Sequence, residues 1–385
     1  DVNKRKMSNN MRLERLRKYM NEKSIEIALI FEPDNQFYIS GFKAITYSRP
    51  IVTVVTQDKI ELIVPGLEEL HAKEVAKVDN VYVYYEIPEM KEHGISHKHY
   101  LDIILNKYPK GTTVGIEKDI VSASFSEYIT DKSFAIKDVG SKIFEMRYVK
   151  DAKEIEFLKI AGYLSDIGIK GSLENVRVGM SELEFDVAGD NALLKYVSEN
   201  YPDTYIGFAN WTCSGIDRTA QPHLDSNTRI LQRGDIVIHS RQVWYENYRA
   251  ENERTFIIGK PTERQKEVFK IAVEAQQAGL DTIKAGIPAR MVDEAARAVV
   301  AKYGLELYSN HRIGHGLGLS EHEEPYLRFD NELILEEGMV FSMEPGIYIP
   351  GVGGFRHSDT AIVGKNGATI ITNYPRSVEE LILDI

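Results

Sequence analysis

Three short segments in the last quarter of the chain each place a reactive side chain beside glycine or an apolar run: GHGLG at 314–318, SMEPG at 342–346 and GFRHSD at 354–359. They deliver His315, Glu344 and the pair His357–Ser358. A histidine and a carboxylate brought together at strand ends can ligate a metal ion or exchange protons with a substrate. Two upstream segments enlarge the set. His223 stands in TAQPHLD, in a loop between strands, where an imidazole titrates near neutrality and can shuttle a proton. Glu251 and Glu253, two apart in NYRAENERTF, point to one face if this segment is a strand, and the apolar TFIIG region that follows argues for its burial. His322 in SEHEEP adds an imidazole near the GHGLG loop. Carboxylates sharing a pocket repel, and both stay ionised only with a cation between them.

These groups need a scaffold, and 385 residues exceed one comfortable core, so about two domains are expected. Residues 1–10 (DVNKRKMSNN) are polar and read as a disordered tail. An amphipathic helix is expected over 11–23, strands over 25–31 and 37–42, and a hairpin pairing 51–56 with 60–65. Strand 81–86, helix 99–109 and strand 113–117 continue an α/β domain over 11–148. From Asp151 the character changes. Long helices (152–175, 181–200, 263–284, 288–303) alternate with antiparallel-looking strands (206–212, 235–240, 254–258, 339–349, 359–364), an α+β pattern over 149–385. A net charge of −11 argues against nucleic acid as a partner, and no apolar run approaches the roughly 20 residues of a membrane span. The single cysteine, Cys213, excludes an internal disulfide and fits a reducing cytoplasm; it is read as structural.

The ordered series SG, PH, RGD, ERTF, GHGLGLSEHEEP, GMVFSMEPGIYIPG and GFR–SD resembles the creatinase/prolidase/aminopeptidase P superfamily, peptidase family M24. The resemblance spans most of the chain. It implies a pita-bread catalytic domain of curved antiparallel sheet flanked by helices, preceded by a smaller α/β creatinase/prolidase-type domain, and a homodimer.

The resemblance also implies where metals would sit. Metallopeptidases of this superfamily hold two divalent ions with two aspartates, a histidine and two glutamates, and those positions fall here on Ser240, Glu251, His315, Glu344 and Ser358. A neutral hydroxyl neither balances charge nor binds a hard dication as a carboxylate does, so no metal and no cofactor are expected. His239 and His357 immediately precede the two serines, and only a β-bulge at each place would turn them into ligands of a single-ion site. The metal-free creatinase branch is similar in layout and cleaves a guanidino C–N bond. Its catalytic histidine and two glutamates match His223, Glu253 and Glu344, and its Phe-x-Arg element resembles Tyr47–Ser48–Arg49. The expectation is therefore a metal-independent hydrolase of a small guanidino, amidino or cyclic-amidine acid. His223 would be general base and acid, and Glu253 and Glu344 would hold the cationic group. Glu251, His315 and His322 would complete the substrate site, with Tyr47 and Arg49 supplied by the other subunit of the homodimer. The alternatives are a metal-dependent Xaa-Pro dipeptidase with an altered metal site, and an inactive peptide-binding homologue.

Overall fold

The computed structural model describes residues 2–221 and 223–385, with side chains from residue 10 onward. The chain divides into two compact units between Arg147 and Tyr148. In the first, a six-stranded sheet is built from β1 (Ile27–Ile30), β2 (Val52–Val55), β3 (Ile60–Pro65), β4 (Asn80–Tyr84), β5 (Thr113–Ile116) and β6 (Ala135–Asp138), in the order β4-β3-β2-β1-β5-β6. The helices are α1 (Val2–Glu22), α2 (Pro33–Ser40), α3 (Glu69–Val75), α4 (His97–Leu105), α5 (Ala123–Asp131) and α6 (Gly140–Arg147). The apolar runs at 51–56 and 60–65 form the expected antiparallel hairpin.

Two local expectations fail here. The segment read as a tail through residue 10 is the first half of α1, with Asp1 outside the described residues. FYISGF, read as a strand, supplies the end of α2. Its apolar alternation is overruled by the caps: Glu32 accepts the Asn35 N–H at 2.6 Å, Pro33 opens the helix, and Gly41 closes it at φ 72°.

In the second unit α7 (Ala152–Glu174) and α8 (Glu182–Asn200) each begin at a capping box, Asp151 with Glu154 and Ser181 with Glu184. Next come β7 (Ile206–Ser214), α9 (Ile216–Thr219), β8 (Ile236–Tyr245), β9 (Tyr248–Ile258), α10 (Glu263–Thr282) and α11 (Arg290–Lys302). The chain continues through β10 (Gly314–Gly316), β11 (Glu323–Leu327), β12 (Val340–Met343), β13 (Gly346–Ile349), β14 (Gly353–Arg356) and β15 (Asp359–Val363). β7, β8 and β9 form an antiparallel ladder; β11, β10, β12 and β15 form another, and β13–β14 is a separate hairpin. The run expected as one strand over 339–349 is thus two, broken at Glu344–Pro345 because proline cannot continue a ladder. The two ladders meet at a bridge between Glu253 and Ser358, which exchange both backbone hydrogen bonds (3.0 and 3.1 Å).

The outer face of the β8–β9 ladder is covered by α7 and α8, and Arg241 runs between them. Its side chain is fully buried and pairs with Asp190 at 2.6 Å. Only glycine leaves it room: a Cβ on Gly168 would lie 2.5 Å from Arg241 Cδ, and one on Gly189 would overlap the guanidinium and Ser172 Oγ. Gly189→Ala is expected to destabilise the protein by about 2–3 kcal/mol through overpacking, read from the urea midpoint, whereas Gly367, where a Cβ would meet nothing within 4 Å, should tolerate alanine.

Candidate active site

Strand alternation decides which side chains reach the site. On β8, residues Ile238, Ser240 and Gln242 line a cavity of about 590 Å³, and so do Glu251 and Glu253 on β9. The cross-strand register runs unbroken, with Ser240 opposite Glu253 and Gln242 opposite Glu251. No bulge therefore turns His239 inward. Its ring lies edge-on to Phe185 on the other face, and its Nδ1 faces the Thr212 hydroxyl at 2.8 Å. His357 likewise points away, against Phe269, while Ser358 turns toward Glu251. The bulge rescue of a five-ligand site is excluded by this register.

At the centre is His315 on β10, fully buried. Its Nδ1–H donates to the Gly316 carbonyl at 2.9 Å. Its Nε2 stands 3.6 Å from Glu251 Oε2 and 3.4 Å from Glu344 Oε1, and finds no hydrogen-bond partner among the described residues. Glu251 also accepts the Ser358 hydroxyl at 2.6 Å and the Gln242 amide at 2.9 Å. Burial opposes ionisation of Glu251, but the imidazole, with the hydroxyl and amide, outweighs it and holds the carboxyl at about 2. Burial would likewise lower His315, yet Glu251 and Glu344 together raise it. Glu344 lacks such donors, and burial followed by the charge of Glu251 pushes it up to about 7. His322 stacks on His315 with ring centres 3.8 Å apart, and burial beside that ring lowers it to about 4.

A second buried chain runs along the cavity. Arg356 grips both oxygens of Glu253, at 2.6 and 2.7 Å, and donates to Tyr348 Oη at 3.1 Å. Tyr348 Oη lies 2.9 Å from His311 Nε2, whose Nδ1–H meets the Arg312 carbonyl at 2.5 Å. The carbonyl can only accept, so Nδ1 carries the hydrogen, and in the neutral ring Nε2 accepts from the Tyr348 hydroxyl. Burial, then the nearby guanidinium, lowers the His311 pKa to about 4.

His223, Glu251, Glu253, His322 and Glu344 all line the one cavity, and His315 lies just beneath it. Tyr47 and Arg49 belong to the first unit, where Tyr47 is 89% exposed and Arg49 pairs with Glu86 at 2.6 Å. Sequence reading missed Gln242, His311, Tyr348 and Arg356. Gln242 was signalled by its two-residue spacing from Ser240, and Arg356 by the GFR motif itself. Cys213 lines the cavity too, but burial pushes its thiol up to about 11, which leaves it a poor nucleophile.

The family's two-ion centre can be tested against this donor set. Ser358 points its hydroxyl hydrogen at Glu251 Oε1, occupying an oxygen that a second ion would need, and Ser240 contributes no charge. Two ions do not fit. One does: an imidazole whose other nitrogen is tied to a carbonyl is arranged as a metal ligand, and its Nε2 is buried without a partner. Ligand atoms about 2.0–2.2 Å from a common ion stand about 3.3–3.6 Å apart in tetrahedral arrangement; Nε2 stands at that separation from each carboxylate, and among the described residues Glu251, His315 and the stacked His322 bring ligand atoms within 4.8 Å of one another.

Two antiparallel ladders joined at one bridge, with carboxylates around a buried imidazole, define a pita-bread hydrolase. The model of metallopeptidase family M24 matches residues 156–365, and that of the creatinase/prolidase N-terminal domain matches residues 12–149. The chain belongs to family M24, and it is a hydrolase. An Xaa-Pro dipeptidase of Pyrococcus horikoshii is 32% identical over 377 residues, covering 96% of this chain and 99% of that protein. One of Lactobacillus helveticus is 30% identical, covering 96% and 98%. The solved prolidase of Pyrococcus furiosus superposes with a TM-score of 0.81 at 32% identity, covering 93% and 99%.

These relatives correct the expectation of a metal-independent, creatinase-like hydrolase of guanidino acids. The full-length similarity is to Xaa-Pro dipeptidases. The geometry supplies a physical reason: the seat for a guanidinium at Glu253 is already filled by Arg356.

The raised Glu344 makes a pH test. Its unfolded carboxyl titrates near 4.5 and the folded one near 7. A raised folded pKa gives stabilisation that is complete below 4.5 and lost as pH rises through 7. In chelator, wild type should therefore lose about 2–3 kcal/mol between pH 5 and 8 that Glu344→Gln does not lose, measured by urea unfolding. Parallel pH profiles for the two proteins would overturn the assignment.

Proposed function

We propose that the chain is an Xaa-Pro dipeptidase working on one divalent ion instead of two. The observation that carries this reading is the partnerless His315 Nε2 between Glu251 and Glu344 beneath the cavity. His315 and Glu251 would hold the ion, with Glu344 or His322 as a third ligand, and the ion when bound supplies Lewis-acid polarisation of the scissile carbonyl. The rest falls to the chain's own side chains. Arg312 and Arg328 offer counter-charge for the dipeptide carboxylate, and Asp225 and Glu321 for its ammonium. Trp211, Leu224 and Ile238 give the cavity an apolar wall that keeps bulk solvent away while one water adds its oxygen to the scissile carbonyl carbon. His223, on the loop over the cavity, hands a proton to the departing proline nitrogen. Arg356 orients Glu253 and, through Tyr348, His311.

The homodimer and a cytoplasmic location belong to this proposal. Tyr47 and Arg49, on the irregular segment 43–50, would serve the cavity of a second copy, and the exposure of Tyr47 supports that role. A lone thiol supports the cytoplasm. Among the described residues no helix is long and apolar enough to cross a membrane.

The decisive experiment is metal titration with cobalt, manganese and zinc, followed by elemental analysis and assay on Xaa-Pro dipeptides. One equivalent and ion-dependent hydrolysis are expected. Two equivalents would overturn the one-ion centre, and dipeptide binding without turnover would overturn the peptidase. His223→Ala should lower kcat by roughly 10²–10⁴-fold. Arg49→Ala should raise KM more than it lowers kcat; unchanged kinetics would remove Arg49 from the site.

A further inference from the structure

The loop that carries Gln221, His223, Leu224 and Asp225 to the cavity has little regular structure of its own beyond α9. Among the described residues the His223 side chain has no hydrogen bond, and the tip is held by few side chains. Thr212 N–H donates to Ser226 Oγ at 2.6 Å, and Arg218 donates to the Asp225 carbonyl at 3.0 Å. The placement of the tip is therefore decided at the base.

The base closes on one carboxylate. Glu182, in the first turn of α8, has a fully buried side chain and accepts four hydrogen bonds. Ser214 supplies two to Oε1, from its N–H at 2.8 Å and its hydroxyl at 2.6 Å. Arg218 Nη2 and the Asn227 N–H supply two to Oε2, at 3.0 and 2.9 Å. Ser214 is the last residue before the loop and Asn227 lies just past its tip, so both ends hang on the same group. Arg229 tightens the ring, donating to Ser214 Oγ at 2.6 Å and bidentately to Asp235 at 2.6 and 2.8 Å. A buried carboxylate with four donors, one of them a guanidinium, is a strong tie, and removing it leaves those donors unsatisfied.

We infer that Glu182 is a positioning residue for the reaction: it closes the base of the 214–227 loop and thereby sets where His223 stands in the cavity. The inference rests on the reading of that cavity as the peptidase site. Glu182 itself lines no part of the cavity, so its effect passes entirely through the loop.

The test compares the full-length protein with Glu182→Gln and Glu182→Asp. Hydrogen exchange read by mass spectrometry should show residues 215–229 exchanging at least about 10-fold faster in Glu182→Gln, with β8 and β9 unchanged. On Xaa-Pro dipeptides with one equivalent of metal, kcat should fall about 10–100-fold with little change in KM. Glu182→Asp, which keeps the charge, should recover part of both. Unchanged exchange over 215–229 overturns the clamp, whatever the activity. Faster exchange with unchanged kcat overturns its catalytic consequence. Where wild type itself cleaves no dipeptide, the peptidase reading fails while the exchange result still decides the clamp. Should Glu182→Gln not fold, Ser214→Ala and Arg218→Met remove donors from the same carboxylate and are read in the same way.

Discussion

The site depends on a single backbone junction, the bridge at which Glu253 and Ser358 exchange hydrogen bonds. Glu251 and Glu253 belong to one ladder, His315 and Glu344 to the region of the other, and the bridge brings the two together. Two residues on, Thr360 Oγ1 and the backbone of Glu251 repeat the contact at 2.8 Å in each direction. Because side chains alternate along a strand, this register also sends His239, Arg254 and His357 to the far side. Slipping it by one residue would exchange the two sets.

Around that junction the electrostatics are arranged by who supplies a donor to whom. Glu251 keeps its charge because an imidazole, a hydroxyl and an amide all face it. Glu344, with no such donors among the described residues, is driven toward neutrality by burial and by the charge of Glu251. Glu253 is satisfied by Arg356, a bidentate pair whose breaking would leave an uncompensated buried charge. Three carboxylates within one cavity thus have three different sets of partners. The two serines at ligand positions fit the same logic: Ser358 has become a donor to Glu251, which stabilises a charge instead of sharing an ion.

The polar networks also show how a loop of irregular sequence is held. Glu182 gathers four donors from both ends of the 214–227 segment. Arg254 does similar work on the far face, pairing with Asp359 at 2.8 Å and with the carbonyls of Ser358 and Tyr374. Both are buried polar groups engaged with backbone and side-chain partners together, and each pins a segment leading into the cavity.

The sequence by itself determined the family, the pita-bread architecture and the main helices, and it singled out His223, Glu251, Glu253, His315, His322 and Glu344 but not Gln242, His311 or Arg356 beside them. These are legible because periodicity, caps and motif spacing are local. The two serines were legible too, since a missing carboxylate is visible in the letters. What only the tertiary structure decided was orientation and partnership. It turned His239 and His357 away through an unbroken register, closed Glu253 with Arg356, and left His315 Nε2 between two carboxylates. It also made FYIS the end of a helix, because caps at Glu32 and Gly41 outweighed an apolar alternation. Such outcomes depend on contacts between residues about a hundred positions apart, such as Glu253 with Arg356, and no window along the chain contains them.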